Sequence, residues 1–219
     1  MILALDTSLH DLSIGLYADD AKELASFYYS PEPNERGVHD SMLAAKTAEL
    51  LAELGATAAD IERIVYIAGP GSFTGLRIGL AFAKGLAYAT GASIAPVPPH
   101  VALQASLDKK YSGRAEILFA YPGYDKHSLY IAHASAIHDV ALVPLRELLP
   151  DLTIAGPTAA LELLGAKHEH TIACSIGLAS VVREISLLQE VRGFEALASL
   201  EPLYITPFTP HPASKRSSD

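Results

Sequence analysis

The sequence predicts an α/β protein of two tandem domains, each a mixed sheet flanked by helices, on three observations. Short apolar strands alternate with helical periodicities along the whole chain. A three-strand meander opens each half and gives way to alternating helix and strand, so that the second half loosely repeats the first. Composition allows this, with 219 residues, half of them hydrophobic and 19% charged, enough chain for two small cores.

The first half reads in order. Ile2 to Thr7, Leu12 to Tyr17 and Glu23 to Tyr29 form the meander, the last two strands joined across Asp19 and Asp20. A helix from about His39 to Leu54, a strand Ile64 to Ala68, a helix Thr74 to Thr90 and a strand Ser93 to Val97 follow. Pro96, Pro98 and Pro99 break the pattern, and a helix near His100 to Leu107 leads into the polar stretch Asp108 to Arg114. That stretch is read as the boundary between residues 1–108 and residues 109–219.

The second half offers strands at Glu116 to Tyr121, Ser128 to His133, Val140 to Val143 and Leu152 to Ala155. A helix Thr158 to Leu164, a strand Thr171 to Cys174 and a helix Gly177 to Glu190 complete it. From about residue 207 the chain is rich in proline and serine, the composition of a frayed terminus. Two units of meander followed by helix and strand are the plan of ribonuclease-H-like domains of the actin-like ATPases.

Composition excludes several function classes. A net charge of −9 leaves no basic surface to hold nucleic acid unaided. No apolar run approaches the roughly 18 residues of a membrane span, and the N-terminus opens on a strand rather than on a signal peptide, which with the lone Cys174 points to the cytoplasm.

The run Gly69-Pro70-Gly71-Ser72-Phe73-Thr74-Gly75-Leu76-Arg77-Ile78-Gly79 turns a strand into a helix, a place where free N–H groups face anions. It fits neither common phosphate motif. No lysine stands where a P-loop needs one, and Thr74 occupies the third glycine position of a dinucleotide fingerprint, with no acid after the next strand. The alternative is architectural: Gly69, Gly71 and Gly75 shape the elbow, and Ser72 or Thr74 caps the helix. Asp6, with Ser8 beside it, ends the first strand where an actin-like ATPase would hold metal; the favoured reading is a turn-forming aspartate bonded to nearby backbone N–H groups. Nine histidines include no His-Glu-x-x-His pattern and no Cys-x-x-Cys exists.

The two long helices spread apolar residues over roughly twice the 100° stripe that covering one sheet needs. On the second, Ile78, Phe82 and Leu86 form a bulky face expected to meet the sheet, beside a small-residue face of Leu76, Gly79, Leu80, Ala83 and Ala87. On the first, Leu43, Leu50 and Leu54 are bulky, and Ala44, Ala45, Ala48 and Ala52 small. The small faces pack either on each other within the chain or on another subunit.

Asp6-Thr7-Ser8, His39 opening the first helix, Gly69 to Gly79 and Lys84-Gly85-Leu86-Ala87 together resemble the TsaB (YeaZ) family, closely over residues 1 to 107 and in outline beyond. The resemblance implies a non-catalytic subunit of the complex that installs threonylcarbamoyladenosine (t6A) beside the tRNA anticodon. It would pair with the metal-holding transferase TsaD and with the ATPase TsaE, form a homodimer alone, and meet tRNA only through the complex. It implies a partner interface at His39, Ala45, Ala48, Ala52, Leu76, Gly79, Leu80, Ala83 and Ala87, and a vestigial nucleotide site at Asp6 and Ser8. It implies no metal and no required cofactor, with ATP or ADP only at a complex interface.

Departures from the family and its paralogue sharpen this expectation. The catalytic paralogue carries His-Met-Glu-Gly-His where this chain has Arg36-Gly37-Val38-His39-Asp40, which supports the non-catalytic assignment. The family's Asp-Ala-Arg segment and Pro-x-Tyr-Leu-Arg ending are replaced by Tyr121 to Lys126 and by Pro202 to Thr206, so no contact through those arginines carries over. The alternatives are an ATP-dependent kinase or acyl-phosphate enzyme of the same fold, and a glycoprotease-type peptidase, which would lack its metal-binding histidine pair.

Overall fold

The structure, a computed structural model, describes residues 1–32, 35, 38–107, 111, 117–123, 127–133, 140–165, 168, 170–184 and 190–204. Arg36 and Gly37, the stretch Asp108 to Arg114 apart from Tyr111, Tyr124 to Lys126, and the tail from Ile205 lie outside them.

The first unit contains β1 (Ile2–Asp6), β2 (Leu12–Tyr17), β3 (Glu23–Tyr29), α1 (Val38–Glu53), β4 (Arg63–Ile67), α2 (Phe73–Thr90) and β5 (Ser93–Val97), followed by α3 (Pro99–Ser106). The second contains β6 (Ile117–Pro122), β7 (Ser128–His133), β8 (Val140–Pro144), β9 (Thr153–Gly156), α4 (Thr158–Leu164) and β10 (Thr171–Ala173), and α5 (Leu178–Arg183) and α6 (Phe194–Ser199) follow.

The two sheets share one plan. Their strand orders, β3-β2-β1-β4-β5 and β8-β7-β6-β9-β10, correspond position by position. In each, the meander strands pair antiparallel and the remaining strands add in parallel. Central β1 is apolar on both faces because both are covered, whereas β3 alternates exposed and half-buried residues as an edge strand does. The units differ in one insertion. Between β3 and β4 stands the 16-residue α1, but between β8 and β9 only a 3-10 turn, Leu145–Glu147.

Each sheet is a middle layer. One face of the first sheet, with Leu3, Leu5, Ile14, Leu16, Ile64 and Tyr66, packs against α1 and α2. The other, with Ile2, Ala4, Val65, Ile67 and Val97, packs against Ala102 of α3 and against Leu178, Val181 and Val182 of α5. The chain therefore returns to the first sheet after completing the second. α3 lies between the units: Leu103, next to Ala102, is buried with Phe119, Tyr121 and Tyr130 of the second sheet, whose opposite face is closed by Ala160 and Leu164 of α4.

Candidate functional site

The glycine run is a surface of close approach. Gly69 has φ +100° and precedes Pro70 through a cis peptide bond. Ser72 is the N-cap of α2, its hydroxyl accepting from the Gly75 N–H at 3.2 Å. From there the helix slides along the loop after β1. A Cβ on Gly71 would strike the Ser8 carbonyl, one on Gly75 the Thr7 carbonyl, and one on Gly79 the Thr7 hydroxyl. The contact is used: Ser72 N donates to Ser8 O at 2.6 Å and Thr7 Oγ1 to Gly75 O at 2.8 Å. Thr74 is exposed and caps nothing.

These bonds fix the segment that carries Asp6. Its Oδ1 accepts from Ser8 N at 2.8 Å and from Ser8 Oγ, the Asx-type turn open to an aspartate at a strand end. Ser8 Oγ in turn lies 2.6 Å from Tyr121 Oη. With the serine hydrogen given to Asp6, Tyr121 is the donor, so a buried chain Tyr121, Ser8, Asp6 ties β6 to β1 across the two units. Burial raises the Asp6 carboxyl above its ordinary value, with the Ser8 hydrogen bonds opposing. The Tyr121 phenol is pushed well up by burial and then by the Asp6 charge.

Asp6 and Tyr121 line a cleft of about 260 Å³ between the units, with Leu9, Asp11, Ser13, Tyr28 and Ser175 among its walls. An actin-like fold implies a nucleotide and a divalent cation here. The donor set does not fit a polyphosphate: among the described residues the lining holds two carboxylates and no lysine, arginine or histidine. The helix N-terminus that might have offered amides has turned Ser72 N to Ser8 and Gly75 N to its own cap. His39 is half-buried at the start of α1, with its Nε2 3.0 Å from the Asp11 carbonyl. Among the described residues no three His, Cys, Asp or Glu side chains are grouped to hold a metal.

The expected partner face needs correction on α2. Leu76, Gly79, Leu80, Ala83 and Ala87 are buried, Ala83 at 0% exposure, and Leu80, Ala83 and Ala87 belong to the core under the first sheet. The small residues face inward because Gly79 has to lie against Thr7, Leu5 and Tyr66. Ile78, Phe82 and Leu86, expected against the sheet, are only partly buried at its margin. His39 also faces inward, toward Asp11.

On α1 the reading differs. Leu43 and Leu50, joined by Leu51, are buried, while Ala44, Ala45, Ala48 and Ala52 are exposed. On α2 the exposed stripe is Thr74, Arg77, Ala81, Gly85 and Ala89, a set the sequence reading missed. A Cβ on Gly85 would meet open space. Each of the two helices thus presents exposed alanine or glycine, the composition that lets another helix approach closely. Asp11, Ser13, Tyr28, Tyr121 and Ser175 of the cleft were missed as well. Only the strand periodicity that sends Ser13 to the same side as Asp11 could have pointed to them.

Comparison with known proteins follows the same half of the chain. The family model for TsaD, tRNA N6-adenosine threonylcarbamoyltransferase, matches residues 31–119. A tRNA N6-adenosine threonylcarbamoyltransferase of Pyrobaculum aerophilum is 36% identical over 105 residues, 44% of this chain and 31% of the relative. The tRNA threonylcarbamoyladenosine biosynthesis protein TsaB of Escherichia coli is 35% identical over 86 residues, 39% of this chain and 35% of the relative. TsaB of Bacillus subtilis is 34% identical over 96 residues, 44% of this chain and 40% of the relative. The aligned part thus spans well under half of each relative's own length. In structure, YeaZ from Pseudomonas aeruginosa superposes with a TM-score of 0.67 at 22% identity, over 93% of this chain and 99% of that one. The likeness establishes the fold: two tandem ribonuclease-H-like units, each a mixed five-stranded sheet flanked by helices.

Proposed function

We propose that the chain is a TsaB (YeaZ)-type, non-catalytic subunit of the t6A modification machinery, a scaffold that binds and activates a TsaD-type transferase and recruits TsaE. The exposed small-residue face of α1 and α2 carries this reading. Ala44, Ala48 and Ala52 on one helix and Ala81, Gly85 and Ala89 on the other are exposed among the described residues, small side chains suited to close approach by a second pair of helices. The TsaD family model matches the stretch containing both helices, so a TsaD-type partner would bring the same pair, and a second copy of this chain could take its place when the protein is alone.

The cleft supports the non-catalytic part. Its two carboxylates repel phosphate, and the side chain an actin-like ATPase would use on a metal is bonded to Ser8. No cofactor is assigned to this chain; ATP or ADP would sit at an interface with other subunits. With a net charge of −9, tRNA would be met through the complex. No described helix is long and apolar enough to cross a membrane.

Size-exclusion chromatography of the protein with its cognate TsaD tests the reading. Co-elution at micromolar concentration, with t6A formation raised over TsaD and TsaE alone, is the expected result. Separate elution with unchanged modification would refute it.

A further inference from the structure

The chain's return to the first sheet leaves a surface feature that the two helices do not explain. Val191 pairs with Ile94 on the open edge of β5, with N···O distances of 2.9 and 2.7 Å. Glu190 is held there by Arg63 at 3.2 Å and by the Ser93 hydroxyl at 2.8 Å. α6 then runs beside α2, where Lys84 Nζ donates to the Ala198 carbonyl at 3.0 Å and Leu197 is buried in the core. Leu203 N finally donates to the Ala68 carbonyl at the elbow, at 2.8 Å.

This segment brings two aromatic rings to α2. Phe194 lies against Tyr88 with ring centroids 5.1 Å apart, and Tyr204 against Phe73 at 5.3 Å. The Arg77 guanidinium sits 4.5 Å from the Phe73 centroid. The rings are not core. Phe194 is 74% exposed, Tyr88 42% and Tyr204 37%, so the isolated fold gains little from them.

We propose that residues 190–204 belong to the partner-binding surface, with the pairs Phe194–Tyr88 and Tyr204–Phe73 as its anchors. The inference rests on the TsaD-type partner proposed above. Arg77 stands one turn before Ala81 in the row that continues through Gly85 and Ala89, and Tyr88 lies beside that row, so the aromatic pairs border the small-residue face rather than forming a separate patch. Small residues at the centre bring helices close, and rings with an arginine at the margin fill the space beside them, the side chains that dominate interface energetics. The partner this fits is a TsaD-type subunit presenting its own two helices, with a carboxylate for Arg77, since α2 contains no acid.

Calorimetric titration of the full chain with cognate TsaD tests it. Phe194→Ala should weaken binding about tenfold or more with the unfolding temperature unchanged, while Leu149→Ala, at a residue of the second unit that is also largely exposed, binds as the parent protein does. Should Phe194→Ala alter the fold, Tyr88→Ala removes the other ring of the pair and reads the same contact. A parent protein that binds, with Phe194→Ala and Tyr88→Ala folded and binding equally well, overturns the role of the segment and leaves the partner reading standing. A parent protein that does not bind TsaD overturns the partner reading itself.

Discussion

Thr7 and Gly75 meet twice, through the Thr7 hydroxyl donating to the Gly75 carbonyl at 2.8 Å and through the Thr7 carbonyl lying where a Cβ on residue 75 would have to be. One contact holds α2 against the loop after β1; the other forbids any residue but glycine at that height. The obstacle is backbone, which cannot rotate away as a side chain could.

Gly75→Ala should therefore destabilise the protein by about 1–3 kcal/mol or more, the usual range for overpacking. At roughly 2–4 °C per kcal/mol for a chain of this size, thermal unfolding resolves the loss. Gly85→Ala is the matched control. It lies on the same helix with open space beyond it, and should raise stability by about 0.5–1 kcal/mol through helix propensity alone. Equal effects of the two substitutions would mean that the elbow is not a site of close approach.

Ala83 and Ala48 separate fold from association. Ala83→Glu places a carboxylate in the core between α2 and the first sheet, with no partner for its charge, and should cost roughly 3–5 kcal/mol, enough to unfold a marginal domain. Ala48→Glu projects into solvent from α1 and should leave the unfolding temperature within about 1–2 °C while abolishing co-elution with TsaD. Circular dichroism melts and chromatography of both variants check the pair.

β2, β3, α1 and α2 were legible because each carries a period of two or 3.6, and β1 because it is a short apolar run closed by Asp6. Leu12–Tyr17 and Glu23–Tyr29 are observed as read, and α1 and α2 begin one residue earlier than expected. The inward side of α2 was not legible. Both of its flanks are apolar, so a count of hydrophobic residues favoured Ile78, Phe82 and Leu86. The deciding quantity was the height of Thr7 above the sheet, a tertiary distance that only Gly75 and Gly79 can accommodate. α5 ends at Arg183, short of the helix expected to Glu190; residues 185–189 lie outside the described set. α6, six residues long, is too short to show a period and went unread. The cleft joins residues from β1, β2, β3, β6 and the loop after β10, an arrangement with no signature in local sequence.

Tyr121→Phe should cost about 0.5–1.5 kcal/mol, the net worth of one hydrogen bond. The ring keeps its packing with Phe119 and Leu103, and Ser8 keeps Asp6, so only the bond between the units is lost. Urea unfolding with an unchanged slope and a lowered midpoint is the expected record. An unchanged midpoint would show that the hydroxyl contributes nothing to joining β6 to β1.

Asp6→Asn isolates the charge from the hydrogen bonds, because an asparagine Oδ1 can accept from Ser8 N and Oγ as the carboxylate does. Burial raises the Asp6 carboxyl in the folded protein above its ordinary 3.8. Below that pH both the folded and the unfolded chain hold the proton, and Asp6 takes nothing from stability. As pH rises, the unfolded chain releases its proton first, the folded state lags, and stability falls until the pH has passed the folded value, after which the loss is constant. Asparagine escapes this loss. The unfolding temperature of Asp6→Asn relative to the parent protein should therefore climb as pH rises from about 3.5 toward neutrality and then level off. A difference that stays flat would mean that the fold leaves the Asp6 carboxyl unshifted, and one that shrinks with rising pH that the folded state favours the carboxylate, as it would if a cation bound there.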